Sequence, residues 1–370
     1  MRQSLWGAPE SAPRQAVRSE RRRLLLPPLD ERPMCSVVIP CLDEEASIEV
    51  VVRGAMEQQY PASRLEILVC DGGSRDATRT LVARLAAVDP RVRIVDNPGR
   101  FPSAGLNEGI RRASGAVIVR MDAHAEYAPD YVAAAVDTLR RTGATVAGGA
   151  ARARASGAFQ RALVAALSSP LGVGGSAYRD AAREGFVESV WGGAFRREAF
   201  ESVGLFDGEA RANEDAELNQ RILEAGGSVY LAPEIVSFYY PRASLGALFS
   251  QYFDYGQGRA RTLLCRRRLL SPRPLIPFAA VTLLGALGLL ALAIPAAWPL
   301  PVMAVLTYGA LVLVESLRVA RRHGAAVLPR LPLIFPAMHA AHGAGVWAGL
   351  LRNAGAGLAR RRPERLLARG

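Results

Sequence analysis

Carboxylates gather at the ends of several short apolar runs in this chain, and their spacing suggests chemistry. Cys35–Pro40 leads into Leu42-Asp43-Glu44-Glu45, and Leu65–Cys70 leads into Asp71-Gly72-Gly73-Ser74-Arg75-Asp76. Ala116–Met121 leads into Asp122-Ala123-His124. Asp122 and His124 are separated by one residue, so in extended chain they point the same way and could hold one Mg²⁺ or Mn²⁺ together with phosphate oxygens. The same pair also reads as two polar side chains that simply face solvent. Asp71 precedes a Gly-Gly step that permits close backbone approach, and its carboxylate could accept hydrogen bonds from a base or ribose. Ser74 and Asp76 have a plainer reading, as caps of a helix beginning near 77. Further along, Asn213-Glu214-Asp215-Ala216-Glu217 opens a helical pattern. Acids in a first turn answer the helix macrodipole, yet that does not call for three of them. A carboxylate beside a metal-bound diphosphate can act as general base on a hydroxyl, an effect of ~10²–10⁴-fold in rate.

These residues need a scaffold that brings strand ends together. The runs at 35–40, 65–70, 92–96 and 116–121 are apolar enough for buried parallel strands, and helical patterns near 46–59, 77–88 and 102–113 separate them. The pattern predicts a doubly wound α/β sheet, whose ligands bind outside the C-terminal ends of the strands. Past Thr142 the rhythm gives way to Gly-rich segments, with a strand near 146–150 and mixed structure over 185–240 that should extend the sheet and form an acceptor cleft. No Gly-x-Gly-x-x-Gly follows the first strand, which argues against a nicotinamide dehydrogenase.

Composition narrows the classes further. The chain has 370 residues, half of them hydrophobic, and all 46 basic residues are arginine. The absence of lysine excludes a Walker-type phosphate loop, a pyridoxal Schiff base and a lysine general base. The net charge of +12 is unevenly placed: residues 34–257 carry 23 Arg and 28 acids, whereas 258–370 carry 16 Arg and 2 acids. A basic excess beside very apolar sequence points to anionic membrane lipids, and no nucleic-acid partner is expected. Cys35, Cys41, Cys70 and Cys265 show no Cys-x-x-Cys spacing and read as small buried hydrophobes in a reducing compartment.

Between Arg273 and Glu315 lie 41 uncharged residues, enough for two helical spans joined at the Pro-rich segment 295–301. A third uncharged stretch, Leu331–Leu351, holds two prolines, two histidines and three glycines. Arginine clusters at 259–273, 318–330 and 352–369 should all be cytosolic. Two spans satisfy that rule, with the third segment re-entrant or interfacial; three spans would place the last cluster outside. A helix over 244–267, bearing Phe249, Tyr252, Phe253 and Tyr255 and ending at Arg266-Arg267-Arg268, is expected at the membrane face, against the alternative of a connector packed under the catalytic domain.

The ordered set PCLDEE, CDGGSRDAT, MDAH and WGGAFRREAFESVGLFDGEARANEDAELNQRI, over residues 34–240, resembles the family 2 glycosyltransferases of GT-A fold. The stretch Gln251–Arg259 before the spans is similar to exopolysaccharide enzymes of the succinoglycan-glucosyltransferase type. The resemblance implies that Asp71 contacts the donor base and that Pro40, Leu42 and Glu44 line the nucleoside. It makes Asp122 the first carboxylate of the family's Asp-x-Asp metal motif, with His124 in place of the second. It makes Asp215 the catalytic base, with Glu214, Gly192 and Gly193 on the acceptor side. Arg259 goes either to the donor diphosphate or to a lipid phosphate. Processive synthases carry Gln-x-x-Arg-Trp where this chain has Gln257-Gly258-Arg259-Ala260-Arg261, so single-sugar transfer is expected.

The expectation is therefore an α/β GT-A doubly wound mixed sheet followed by C-terminal transmembrane helices. A flexible leader would occupy 1–33, the catalytic domain 34–243, an interfacial basic helix 244–273, the membrane region 274–351 and a basic cytosolic tail 352–370. The implied reaction is inverting, metal-dependent transfer from a nucleotide-diphosphate sugar, a UDP-sugar first, to a lipid-linked saccharide at the cytosolic face of a bacterial inner membrane, for exopolysaccharide. The rivals are a polyprenyl-phosphate glycosyltransferase and, in another class, a sugar nucleotidyltransferase, against which the missing lysine and the apolar tail both count.

Overall fold

The computed structural model describes residues 24, 26–173, 176–210, 212–266 and 272–354. Its first half alternates strand and helix as the apolar periodicity requires: β1 (Cys35–Cys41), α1 (Ile48–Met56), β2 (Leu65–Asp71), α2 (Thr78–Val88), β3 (Val92–Asp96), α3 (Pro102–Arg112) and β4 (Val117–Arg120). Every residue of β1 and β2 is buried, because helices cover both faces of the sheet. Next come β5 (Ala125–Tyr127), α4 (Tyr131–Thr142), β6 (Val146–Gly149), β7 (Arg152–Ala153), α5 (Ala158–Leu167) and α6 (Pro170–Val173). The domain is completed by β8 (Gly185–Val187), β9 (Trp191–Arg196), α7 (Arg197–Val203), α8 (Glu214–Glu224), β10 (Val229–Leu231) and β11 (Ser237–Tyr239).

Eight strands form one mixed sheet in the order β3-β2-β1-β4-β9-β6-β10-β8, with β9 antiparallel to both β4 and β6. The chain winds outward from β1 to β2 and β3 on one side and to β4 on the other. The ends of β1 and β4 are therefore the switch point at which a ligand crevice opens. A small second sheet, β5-β11-β7, lies beyond β4. The expected strands and helices form within a few residues of their forecast limits. One local expectation changes: Ser74 does not cap α2, whose N-cap residue is Ala77. Ser74 instead donates to Asp71 Oδ1 and accepts from the Asp43 amide, while Asp76 does accept from the Thr78 amide.

The described residues end in four long helices: α9 (Leu245–Arg266), α10 (Ile276–Ala293), α11 (Pro299–His323) and α12 (Leu331–Ala354). The segments Arg273–Ala293 and Pro295–His323 are long and apolar enough to cross a membrane, by length and composition. Both carry exposed apolar side chains, Leu292 being 80% exposed and Val314 64%. Pro299 and Pro301 lie in the first turn of α11, where a missing N–H costs nothing, so the connection is shorter than the Pro-rich segment suggested.

Helix α12 packs along α9 rather than standing apart. A Cβ on Gly345 would lie 2.1 Å from the Phe253 carbonyl oxygen, and one on Gly256 would lie 2.3 Å from that of His342. The glycines that weaken Leu331–Leu351 as a span are what lets two backbones meet. Contacts cross the expected domain limits. Helix α5 joins Val312, Leu331 and Phe335 in one core. The end of the 1–33 leader is tied down, with Arg32 paired to Asp137 and Tyr60 Oη donating to the Pro33 carbonyl; residues 1–23 and the 355–370 part of the tail lie outside the described residues.

Candidate active site

A cleft of about 2040 Å³ opens at the switch point and continues down between the C-terminal helices. Pro40, Leu42 and Glu44 from the β1 end, Asp122 and His124 from the β4 end, Glu214 and Asp215 from α8 and Arg259 from α9 all line it. The fold thus brings together residues that are up to 219 positions apart in sequence, from Pro40 to Arg259.

Arg120 organises the centre. Its Nε donates to Asp122 Oδ1 and its Nη1 to Glu214 Oε1, each at 2.9 Å. The three side chains are only 12%, 17% and 9% exposed. Burial opposes the charge on Arg120, but Asp122, Glu214 and Asp215 outweigh it and hold the guanidinium well above its usual value. Burial works against ionisation of Asp122 too, yet Arg120 and then His124 keep its carboxyl below the ordinary range. Glu214 goes the other way: burial raises it, and the neighbouring charge of Asp215 adds to that against Arg120. The sequence reading passed over Arg120, although one arginine in the apolar run Ala-Val-Ile-Val-Arg-Met was a visible signal of a buried charge seeking partners.

Asp122 and His124 each also have partners of their own. His124 Nδ1 is hydrogen-bonded to Glu44 Oε1 at 3.0 Å, and that bond raises the imidazole above its usual range. The Asp122 amide donates to Tyr127 Oη at 2.6 Å, and Tyr127 stacks edge-on to the buried Tyr131. Among the described residues no three His, Cys, Asp or Glu side chains cluster as a protein metal cage. Asp122 Oδ2, which no described residue hydrogen-bonds, suits a cation that takes its remaining ligands from substrate phosphates, as Mg²⁺ and Mn²⁺ sites commonly do.

Asp71 is held within its own turn. It is 3% exposed, accepts from the Ser74 amide and hydroxyl and from Arg79 Nη1, and is not among the residues lining the cleft. Its carboxylate closes the turn after β2 instead of presenting itself to solvent. Gly192 and Gly193 adopt positive φ, 66° and 113°, and lie buried beneath the lining residue Trp191. There they let β9 bend between its pairings with β4 and β6.

Asp215 stands in the first turn of α8, and the Ala216 amide donates to its Oδ1. On α9, Tyr252 and Tyr255 line the cleft, stacked edge to face at 5.5 Å. Arg266 pairs with Glu217 of α8, while Arg267 and Arg268 lie outside the described residues. Cys35, Cys41 and Cys70 are buried free thiols, Cys35 pushed up to about 12 by burial, as their apolar context implied.

Residues 36–204 match the family model described as Glycosyl transferase family 2. Over 245 residues the chain is 38% identical to the succinoglycan biosynthesis protein ExoA of Rhizobium meliloti, covering 66% of this chain and 74% of that protein. Over 327 residues it is 26% identical to the dolichyl N-acetyl-alpha-D-glucosaminyl phosphate 3-beta-D-2,3-diacetamido-2,3-dideoxy-beta-D-glucuronosyltransferase of Methanococcus voltae, covering 86% and 97%. The mannosyltransferase PcManGT from Pyrobaculum calidifontis, solved with GDP-Man and Mn²⁺, shares the fold at a TM-score of 0.57 and 22% identity, over 91% of this chain and 92% of that one. With its GT-A-like mixed sheet and its carboxylates gathered at the switch point, this chain belongs to the family 2 glycosyltransferases.

Proposed function

We propose that the protein transfers a single sugar, with inversion, from a nucleoside-diphosphate sugar to a hydroxyl of a lipid-linked saccharide at the inner face of a bacterial membrane, in exopolysaccharide assembly. The observation that carries this reading is the continuity of one cleft from Asp122 and Asp215 to the apolar helices α10 and α11. A soluble acceptor would have no use for such a path. The relatives support it, one being a succinoglycan biosynthesis protein and another acting on a dolichyl-linked sugar phosphate.

In this reading Asp215 takes the proton from the acceptor hydroxyl as its oxygen attacks the anomeric carbon. The bond from that carbon to the diphosphate oxygen breaks, and the nucleoside diphosphate leaves with the electron pair. A Mg²⁺ or Mn²⁺ held by Asp122 would offset charge on the departing diphosphate. Arg120 fixes Asp122 and Glu214 in place, so the acidic wall is set before substrate arrives. Pro40, Leu42 and Glu44 would line the nucleoside, for which a UDP-sugar is our first choice. At the position of the processive motif's tryptophan stands Arg261, locked to Asp207 by bonds of 2.5 and 2.9 Å and to Glu209. That arrangement supports transfer of one sugar and release.

The test is a transfer assay in membranes with UDP-, GDP- and dTDP-sugars, with and without EDTA. Asp215→Asn should lower transfer by ~10²-fold or more while donor binding stays nearly intact, since only the proton acceptor is removed. Equal rates in parent and variant would sink the assignment, and transfer that survives EDTA would remove the metal. A product sugar that mild acid releases directly from lipid phosphate would reassign the acceptor to the lipid phosphate itself.

A further inference from the structure

The floor of the cleft holds polar groups that the reaction above does not use. Among the described residues the Arg259 guanidinium makes no hydrogen bond or ion pair, and its Nε is buried without a partner. Arg179 Nε and His342 Nδ1 are likewise buried and unpartnered. All three residues line the cleft. Gly256 abuts the His342 backbone, and Arg259 follows Gly256 by three residues on the same face of α9, so Arg259 and His342 are neighbours across the α9/α12 seam. Arg179 is held from the opposite wall by Tyr178 and Tyr239, with its guanidinium 5.3 Å from each ring centre. Burying a polar nitrogen without a partner is unfavourable, so a site with three of them is built to be completed by an acceptor-rich ligand. Two arginines and an imidazole that can donate suit a phosphate or diphosphate.

This is a different place from the Arg120 centre. Asp122, Glu214 and Asp215 all act on Arg120, whereas of these three only Asp215 acts on Arg259. Asp215, in the first turn of α8, lines the same cleft as both groups. Beyond His342 the cleft turns apolar. Ala280 and Leu284 of α10 and Val305 and Leu311 of α11 line it, and Leu284, Val305 and Leu311 are 42%, 52% and 55% exposed. Next to this groove, His339 bridges Tyr308 Oη and the Leu171 carbonyl, which ties α12 to α11 and α6 and holds the passage in shape. An anion site at one end and an apolar groove at the other fit an amphiphile.

We propose that Arg179, Arg259 and His342 bind the phosphate or diphosphate of the long-chain lipid that carries the acceptor saccharide, and that the lipid chain leaves through the groove between α10 and α11. The proposal deepens the glycosyl-transfer reading and rests on it for the saccharide, but lipid binding can be measured without transfer.

The probe is farnesyl diphosphate, titrated against the full chain in phosphatidylcholine nanodiscs, alone and with saturating UDP. The parent should bind it with UDP present, and farnesol or inorganic pyrophosphate should bind at least about tenfold more weakly, each having lost one end of the contact. Arg179→Gln, Arg259→Gln and His342→Ala should each weaken farnesyl diphosphate about tenfold, and His342→Ala should leave UDP affinity within twofold, which also shows that the chain is folded. Leu284→Trp with Val305→Trp should weaken farnesyl diphosphate and leave pyrophosphate unchanged, because bulk fills the groove alone. Competition between UDP and farnesyl diphosphate, with the variants weakening both alike, would place these residues on the donor diphosphate and overturn the proposal; so would failure of the parent to bind the probe. Binding as expected without sugar transfer to any lipid-linked saccharide would leave the site standing and remove the transfer reading instead.

Discussion

Asp122 and Glu214 reach the cleft from different parts of the chain, and Arg120 is what holds them in one arrangement. Removing one member of a buried charge network strands the others, and the usual cost is about 3–5 kcal/mol. Arg120→Gln should therefore destabilise the protein by an amount of that order, seen as a lower urea midpoint in detergent solution. It should also change the response to acid. Burial by itself pushes the Asp122 carboxyl up, and Arg120 is the first of the charges that bring it down, so without Arg120 its ionisation moves to higher pH. The acid limb of donor affinity should then rise in the variant. An unchanged limb would mean that Asp122 does not need to be ionised for binding.

At the scale of elements, β1, β2 and the turn before β4 are fastened by Glu66, a residue only 8% exposed. Its Oε1 accepts from the hydroxyls of Ser36 and Ser114 at 2.6 and 2.7 Å. Burial alone would raise this carboxyl, but the Ser114 amide and the two hydroxyls together hold it below the ordinary range. A carboxyl whose folded pKa is depressed contributes stability that is present above its unfolded pKa, about 4.3, and is lost as pH falls through the folded value. Glu66→Gln should thus cost about 1–3 kcal/mol at neutral pH, with the difference from the parent shrinking as the pH is lowered below 4, by urea unfolding at matched pH. A constant difference across that range would show that shape, and not charge, sets the role of Glu66.

For the whole molecule, the question is how the catalytic domain meets a membrane. Helices α10 and α11 have the length and apolar surface to cross, and α12 is laid against α9 through Gly345 and Gly256. With two crossings, cysteine tags at the N-terminus and after Arg369 should both be shielded from an impermeant thiol reagent in intact cells, while a tag within 296–300 should react. Labelling of the C-terminal tag would mean an odd number of crossings, with α12 among them.

The strand ends were legible from sequence because buried parallel strands are apolar along their whole length, and the break to Asp-Glu-Glu at 43–45 or Asp-x-His at 122–124 marks where each leaves the core. Family membership was legible for the same reason, since four such breaks in fixed order resemble few other chains. How each carboxylate is held was not legible. Asp71 and Asp122 both follow apolar strands, yet one closes its own turn with Ser74 and Arg79 and the other is bonded to Arg120 and lines the cleft. That choice is made by side chains arriving from elsewhere: Arg120 drawn to Glu214, Tyr127 placed by β5 and His124 captured by Glu44. The bundle shows the same limit. Periodicity and charge located the apolar helices, but the glycines of α12 read as a weakness until α9 was beside them. Contacts between residues about ninety positions apart, such as Phe253 with Gly345, exist only once the chain has closed on itself.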